Sequence, residues 1–136
     1  ETYITFQMTY KEAINAMEIA HIRKKECPVV WNEKIGYWKL LKDMSQQQQC
    51  KEFVSKKIDA LIQYDKENES DLIETLEALV NHLGARNITA TSLYLHRNTL
   101  MYRIKKIENL TGYDLSDPES ILELSLALRL NKFMNH

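Results

Sequence analysis

The feature that most constrains this chain is a succession of helical apolar stripes in its second half, none of which can stand alone. After Asp71, the residues Leu72, Ile73, Leu76, Leu79, Val80 and Leu83 recur at spacings of three and four and build one apolar face. Asp71 suits the positive start of that helix, and Gly84 can close its end. A second stripe, Leu100, Ile104 and Ile107, repeats at four and three. Isolated helices of such length are marginal in water, so these stripes must face one another across a shared core. The pattern predicts a mainly α fold, with a C-terminal helix-turn-helix bundle over residues 67–136.

Between the two stripes a short helix is expected, with Asn87 as its N-cap and Ala90 and Leu93 turned inward. Tyr94-Leu95-His96 then forms a turn, and a longer helix runs over residues 97–110 to Gly112. Two helices joined by so tight a turn cross near a right angle when a small residue lies at the crossing, and Ala90 supplies it. Ser116 or Asp117 can cap a last helix with Pro118 in its first position, where a missing N–H costs nothing. That helix carries Ile121, Leu122, Leu124, Leu126, Ala127, Leu128, Leu130, Phe133 and Met134 nearly all round. It must be covered on more than one side. Either a second copy of the chain or the helices around Phe53 and Ile62 can do so. The expectation is self-association, to a homodimer or a higher homo-oligomer, because a two-fold pair would present two such units together.

The first half reads differently. Thr9 and Glu12 have capping-box spacing, and Tyr10, Ala13, Ile14, Met17 and Ala20 follow on one helical face. Tyr3-Ile4-Thr5-Phe6 and Pro28-Val29-Val30-Trp31 are rich in strand formers. A helix is expected from about Glu33 to Met44, with Ile35, Trp38 and Leu41 inward. Alternation of this kind predicts a small α/β remnant over residues 1–45. Residues 46–66 then supply connecting helices around Phe53, Val54, Ile58, Leu61 and Ile62. The polar run 66–70 breaks the pattern and marks the expected boundary of the last unit. The chain opens on Glu1 rather than Met and enters structure at once, as a piece of a longer protein would.

Composition removes several classes of function. A hydrophobic share of 44% can fill a core, so the chain is not a disordered tail. The net charge of −1 gives no global attraction to nucleic acid, so any such site must be a local basic patch. Cys27 and Cys50 form no CxxC and no cluster with histidine, which argues against a zinc site and fits a reduced, cytoplasmic setting. No apolar run approaches the ~20 residues of a membrane span. Only three glycines are present to build a phosphate cradle, and no nucleophile–base arrangement or carboxylate pair appears. No enzymatic activity, cofactor or metal is expected.

The helix over residues 97–110 carries the chemistry. Between Arg97 and Lys106 stand four basic residues and no acidic one, in a chain that is slightly acidic overall. A solvated helix would mix signs to gain i,i+4 pairs. Opposite the apolar stripe lie Asn98, Tyr102, Lys105, Lys106 and Asn109, flanked by Thr99 and Arg103. Arg bridges guanine O6 and N7, Asn bridges adenine N6 and N7, and Thr, Tyr, Lys and a helix N-terminus donate to phosphate. Arg97, Asn98, Thr99, Tyr102, Arg103, Lys105 and Lys106 are therefore the candidate contacts to double-stranded DNA. His96, just ahead of them, is expected to cap the helix or pack in the turn. The competing reading is a helical module whose basic helix meets an acidic protein.

These residues also carry a resemblance. Asp71-Leu72-Ile73-Glu74-Thr75-Leu76, Thr89-Ala90 with Leu93, and His96-Arg97-Asn98-Thr99-Leu100-Met101-Tyr102-Arg103-Ile104 resemble the C-terminal helix-turn-helix of the PucR/CdaR family of bacterial regulators. Leu110-Thr111-Gly112-Tyr113-Asp114-Leu115, Asp117-Pro118 and Leu126-Ala127-Leu128-Arg129-Leu130 extend it. Met101 stands where the motif often has arginine, and Ala85-Arg86-Asn87 where many members have Asn, an apolar residue and Ser. Residues 9–41, with Glu33-Lys34-Ile35-Gly36-Tyr37, resemble the end of a degenerate GGDEF-like domain. The resemblance implies a sequence-specific transcription regulator of dimeric or higher order, with a small-molecule effector sensed upstream of this chain.

Overall fold

A computed structural model of the protein describes residues 36–134. The expected capping box, both strands and most of the α/β remnant lie outside the described residues. Six helices follow in order: α1 (Trp38–Met44), α2 (Gln48–Asn68), α3 (Leu72–Asn81), α4 (Arg86–Ser92), α5 (Arg97–Thr111) and α6 (Pro118–Met134). No strand occurs among the described residues.

The helix expected from about Glu33 does not run through Gly36. That residue sits at φ +61, outside helical space, and α1 starts only at Trp38. Trp38 then meets Phe133 edge to face, with ring centroids 5.7 Å apart, and Leu41 is buried beside it in the common core. So α1 packs on α6 and joins the helical bundle.

The segment expected as one or two connecting helices is a single helix of 21 residues. It does not stop at Tyr64 or Asp65 but runs on to Asn68, where Glu69 takes the left-handed conformation at φ +48. Asp65 explains why the polar run is no boundary in space. Its carboxylate accepts from the backbone N–H groups of Leu72 and Ile73, each at 2.9 Å, and from the Ser70 hydroxyl. The end of α2 thus caps the start of α3, and Asp71 makes no side-chain cap of its own. Val54, Ile58 and Leu61 of α2 lie in the same core as Leu76 and Leu79 of α3, Ile104 and Ile107 of α5, and Leu124 and Leu130 of α6.

The need for a second copy around α6 disappears with this packing. Leu124, Ala127, Leu128 and Leu130 are buried within one chain, and Leu126 is partly buried against the core. The cover comes from α2, with α3 and α1 closing the other sides. Leu122 alone of the large apolar residues of α6 faces solvent broadly. Asp117 caps α6 by accepting from the Glu119 N–H at 3.2 Å, with Pro118 in the first position.

Two expected helix ends shift. Helix α3 stops at Asn81, so Leu83 leaves the apolar stripe: it is 87% exposed at φ +53. Gly84, at φ +83, still closes the helix through its N–H to the Leu79 carbonyl at 2.9 Å. Helix α4 is preceded by an extended Ala85 with no side-chain cap, and Asn87 sits inside its first turn. The Thr89 hydroxyl donates instead to the Ala85 carbonyl at 2.7 Å.

A polar tie also crosses the bundle. The Lys57 ammonium on α2 lies 3.0 Å from the Glu123 carboxylate on α6, donates to the Tyr113 hydroxyl, and stands over the Phe53 ring. The hydrogen bond to Tyr113 and the neighbouring Glu123 hold the Lys57 ammonium above its ordinary pKa despite partial desolvation. The bond from Lys57 and its charge hold the Glu123 carboxyl below the usual carboxylate range.

Two outcomes follow. Ile58→Ala, in a fully buried site on α2, should lower stability by about 2–5 kcal/mol, and unfolding followed by circular dichroism and by tryptophan fluorescence should remain one coincident transition. Separate transitions would show that α2 is not part of the α3–α6 core. Because the folded pKa of Glu123 is depressed, its contribution is present above the unfolded value and lost as pH falls through the folded one. The stability difference between the parent and Glu123→Gln should therefore be present at neutral pH and shrink below pH ~4.3.

Candidate nucleic-acid interface

The pair α4 and α5 forms the helix-turn-helix, with α3 packed against both. Ala90 and Thr89 of α4 are buried at the contact. The turn is closed by the Leu95 N–H bonding back to the Ala90 carbonyl at 2.9 Å, while Tyr94 takes the left-handed conformation at φ +55. His96 then caps α5, its Nδ1 accepting from the Asn98 N–H at 3.1 Å. The capping expectation for His96 is met.

Leu100, Ile104 and Ile107 are all fully buried, which sets the inward face of α5. The opposite face is open: Asn98, Tyr102, Lys105 and Asn109 are exposed, Tyr102 at 68%. Thr99 and Met101 are exposed at its flanks, while Arg97 is exposed at the N-terminal end of α5, in line with the apolar stripe. Among the described residues, the side chains of Arg97, Thr99, Tyr102 and Lys105 make no hydrogen bond or ion pair. The single acidic residue of α5, Glu108, is occupied: its carboxylate accepts from the Leu115 N–H at 3.0 Å. The first three turns of α5 therefore present positive charge, amide and hydroxyl groups with no local counter-charge.

Two candidate contacts lie aside from this face. At about 100° per residue, Arg103 stands only ~60° from Leu100 and flanks the apolar stripe. Its Nη1 donates to the Thr75 hydroxyl at 3.0 Å, and its Nη2 lies 4.0 Å from the Asp71 carboxylate. Lys106 is half-buried, with its ammonium 4.9 Å from the centre of the Tyr64 ring on α2. Both are partly engaged within the bundle.

One exposed residue escaped the reading of helical faces. Tyr94 is 97% exposed in the turn that leads into α5. Periodicity says nothing of turns, but a turn this short between two helices needs a left-handed residue, and here no glycine supplies it.

Residues 72–130 match the family described as the PucR C-terminal helix-turn-helix domain. These residues of the chain are similar to that domain. Among curated relatives, the proline-responsive transcriptional activator PutR of Bacillus subtilis is 31% identical over 125 residues, which is 91% of this chain and 30% of PutR. The purine catabolism regulatory protein of the same organism is 29% identical over 126 residues, 93% of this chain and 23% of the relative. The carbohydrate diacid regulator of Escherichia coli is 39% identical over 66 residues, 48% of this chain and 17% of the relative. The chain thus spans less than a third of the length of these relatives. No solved structure matches it significantly. The matched residues begin at the start of α3 and end within α6, so α2 lies outside the match although it shares the core. No helix among the described residues is long and apolar enough to cross a membrane.

The exposed, left-handed Tyr94 gives a stability prediction. A non-glycine residue there costs ~1–2 kcal/mol of backbone strain, and glycine repays part of the relief through its greater unfolded-state entropy. Tyr94→Gly should therefore raise stability by about 1 kcal/mol at unchanged denaturant dependence. A loss of stability would show that the phenol ring makes contacts that hold the turn.

Proposed function

We propose that this chain is the DNA-binding part of a cytoplasmic transcription regulator, with α5 set in the major groove and α4 lying across it. One observation carries the reading: the first three turns of α5, the helix that a helix-turn-helix offers to a duplex, expose Arg97 and Lys105 with no ion pair and hold no acidic residue before Glu108. Arg97 and Asn98, at the exposed start of α5, are assigned to base edges. Thr99, Tyr102 and Lys105 are assigned chiefly to phosphate oxygens, with Lys106 at the margin. The −1 net charge of the chain makes this attraction local, so binding depends on docking one face rather than on the protein's overall field.

A two-fold dimer would place two copies of α5 on half-sites ~34–36 Å apart or a multiple of it. With the long sides of α6 already covered, such pairing would use another surface of the longer protein. The names of the relatives include a proline-responsive activator and regulators of purine and carbohydrate diacid metabolism. We assign the sensing of a small-molecule effector to sequence upstream of this chain.

Selection of bound sequences from random duplexes tests this reading. Asn98→Ala should lose ~1–3 kcal/mol of discrimination at one position, while Lys105→Ala should weaken binding uniformly and reduce the log–log salt slope by ~0.9. Binding that is indifferent to both changes, or no enrichment of any sequence, would remove α5 from the interface.

A further inference from the structure

The contact between Arg103 and Thr75 joins the helix that faces the duplex to the helix that supports it. Thr75 is a fully buried hydroxyl in an otherwise apolar stretch of α3. Its oxygen donates to the Asp71 carbonyl at 2.7 Å and accepts from Arg103 Nη1 at 3.0 Å, which uses both its capacities. The Asp71 carboxylate, 4.0 Å from Nη2, offsets the same charge at the rim. The Arg103 side chain is three-quarters buried by this arrangement. Its donors are aimed at α3, not at the open face of α5.

The remaining anchors of α5 are Leu100, Ile104 and Ile107. Aliphatic packing holds a helix down, but it is not directional, and a modest roll about the helix axis costs it little. Reading base edges tolerates no more than ~10–20° of misorientation. A planar guanidinium bonded to a buried hydroxyl is directional and supplies the missing constraint.

We propose that Arg103 is a positioning residue of the DNA-reading surface: with Thr75 and Asp71 it fixes the roll of α5 against α3, so that Asn98, Tyr102 and Lys105 face the duplex together. It acts through those side chains and contacts no phosphate. The inference rests on the DNA-binding function proposed above.

Arg103→Gln, Arg103→Lys and the near-isosteric Thr75→Val test it, with Lys105→Ala as a charge control. Two quantities are measured for the whole chain: the salt slope of binding to a mixed-sequence duplex, and the affinity ratio of a duplex selected by the parent to that mixed sequence. Arg103→Gln and Thr75→Val should leave the slope at its parental value, whereas Lys105→Ala lowers it by ~0.9. Both should reduce the affinity ratio about tenfold, and the double variant should fall no further than either single one. Arg103→Lys keeps the charge but not the planar fork and should not restore the ratio. A slope reduced in Arg103→Gln as in Lys105→Ala, a parental ratio in Thr75→Val, or full rescue by lysine would each overturn the proposal while leaving DNA binding intact. A parent chain that binds no duplex would overturn the function it rests on, and the proposal with it.

Discussion

A helix that is apolar nearly all round can present almost none of its surface to water, and α6 is such a helix. Its residues Ile121, Leu124, Ala127, Leu128, Leu130 and Phe133 are all buried, which requires neighbours on several sides at once. Helices α2, α3 and α1 are those neighbours. Once α2 and α3 are held by α6, their inner faces form the floor on which Leu100, Ile104 and Ile107 of α5 settle. The open face of α5 is therefore set from behind, by the burial of α6. At roughly 25 cal/mol per Å² of apolar area removed from water, this burial is the largest favourable contribution to the fold.

Charge is disposed with the same economy. Much of the basic complement away from α5 is answered inside the bundle. Lys57 meets Glu123 and Tyr113, Lys132 lies 3.8 Å from Glu77, and Arg129 donates to the Tyr37 hydroxyl at 3.0 Å. On α5, Arg103 and Lys106 are engaged within the bundle, whereas Arg97 and Lys105 have no such answer among the described residues. The single carboxylate of that helix is turned to the loop before α6. A slightly acidic chain can in this way offer one strongly basic face without a basic protein around it.

The junction at the start of α3 connects the two themes. Asp65 of α2 supplies the cap for α3, Asp71 and Thr75 of α3 receive Arg103 of α5, and Lys106 of α5 lies against Tyr64 of α2. Three helices meet there through directional polar contacts as well as packing. The matched domain starts at Leu72, one residue past Asp71, so the cap that orders its first turn comes from outside it.

The helices of the second half were legible because their periodicity is a local property: a stripe at three and four predicts which face of α3 or α5 is buried, whatever it packs against. For the same reason the open face of α5, with Asn98, Tyr102, Lys105 and Asn109, could be read from the chain alone, and so could the caps formed by His96 and Asp117, whose partners lie within two residues. What the sequence could not determine are the relations between distant segments. Nothing in the spacing of Phe53 to Ile62 says that this helix covers α6, so a second copy was the natural expectation. Nothing in residues 66–70 says that Asp65 reaches across them to cap α3. Arg103 lies near enough to the polar face to pass for a phosphate contact, until Thr75 is found within 3.0 Å of it. Secondary structure and amphipathic faces follow from short-range sterics and hydrophobicity, whereas partners far apart in the chain are selected only when the whole core closes.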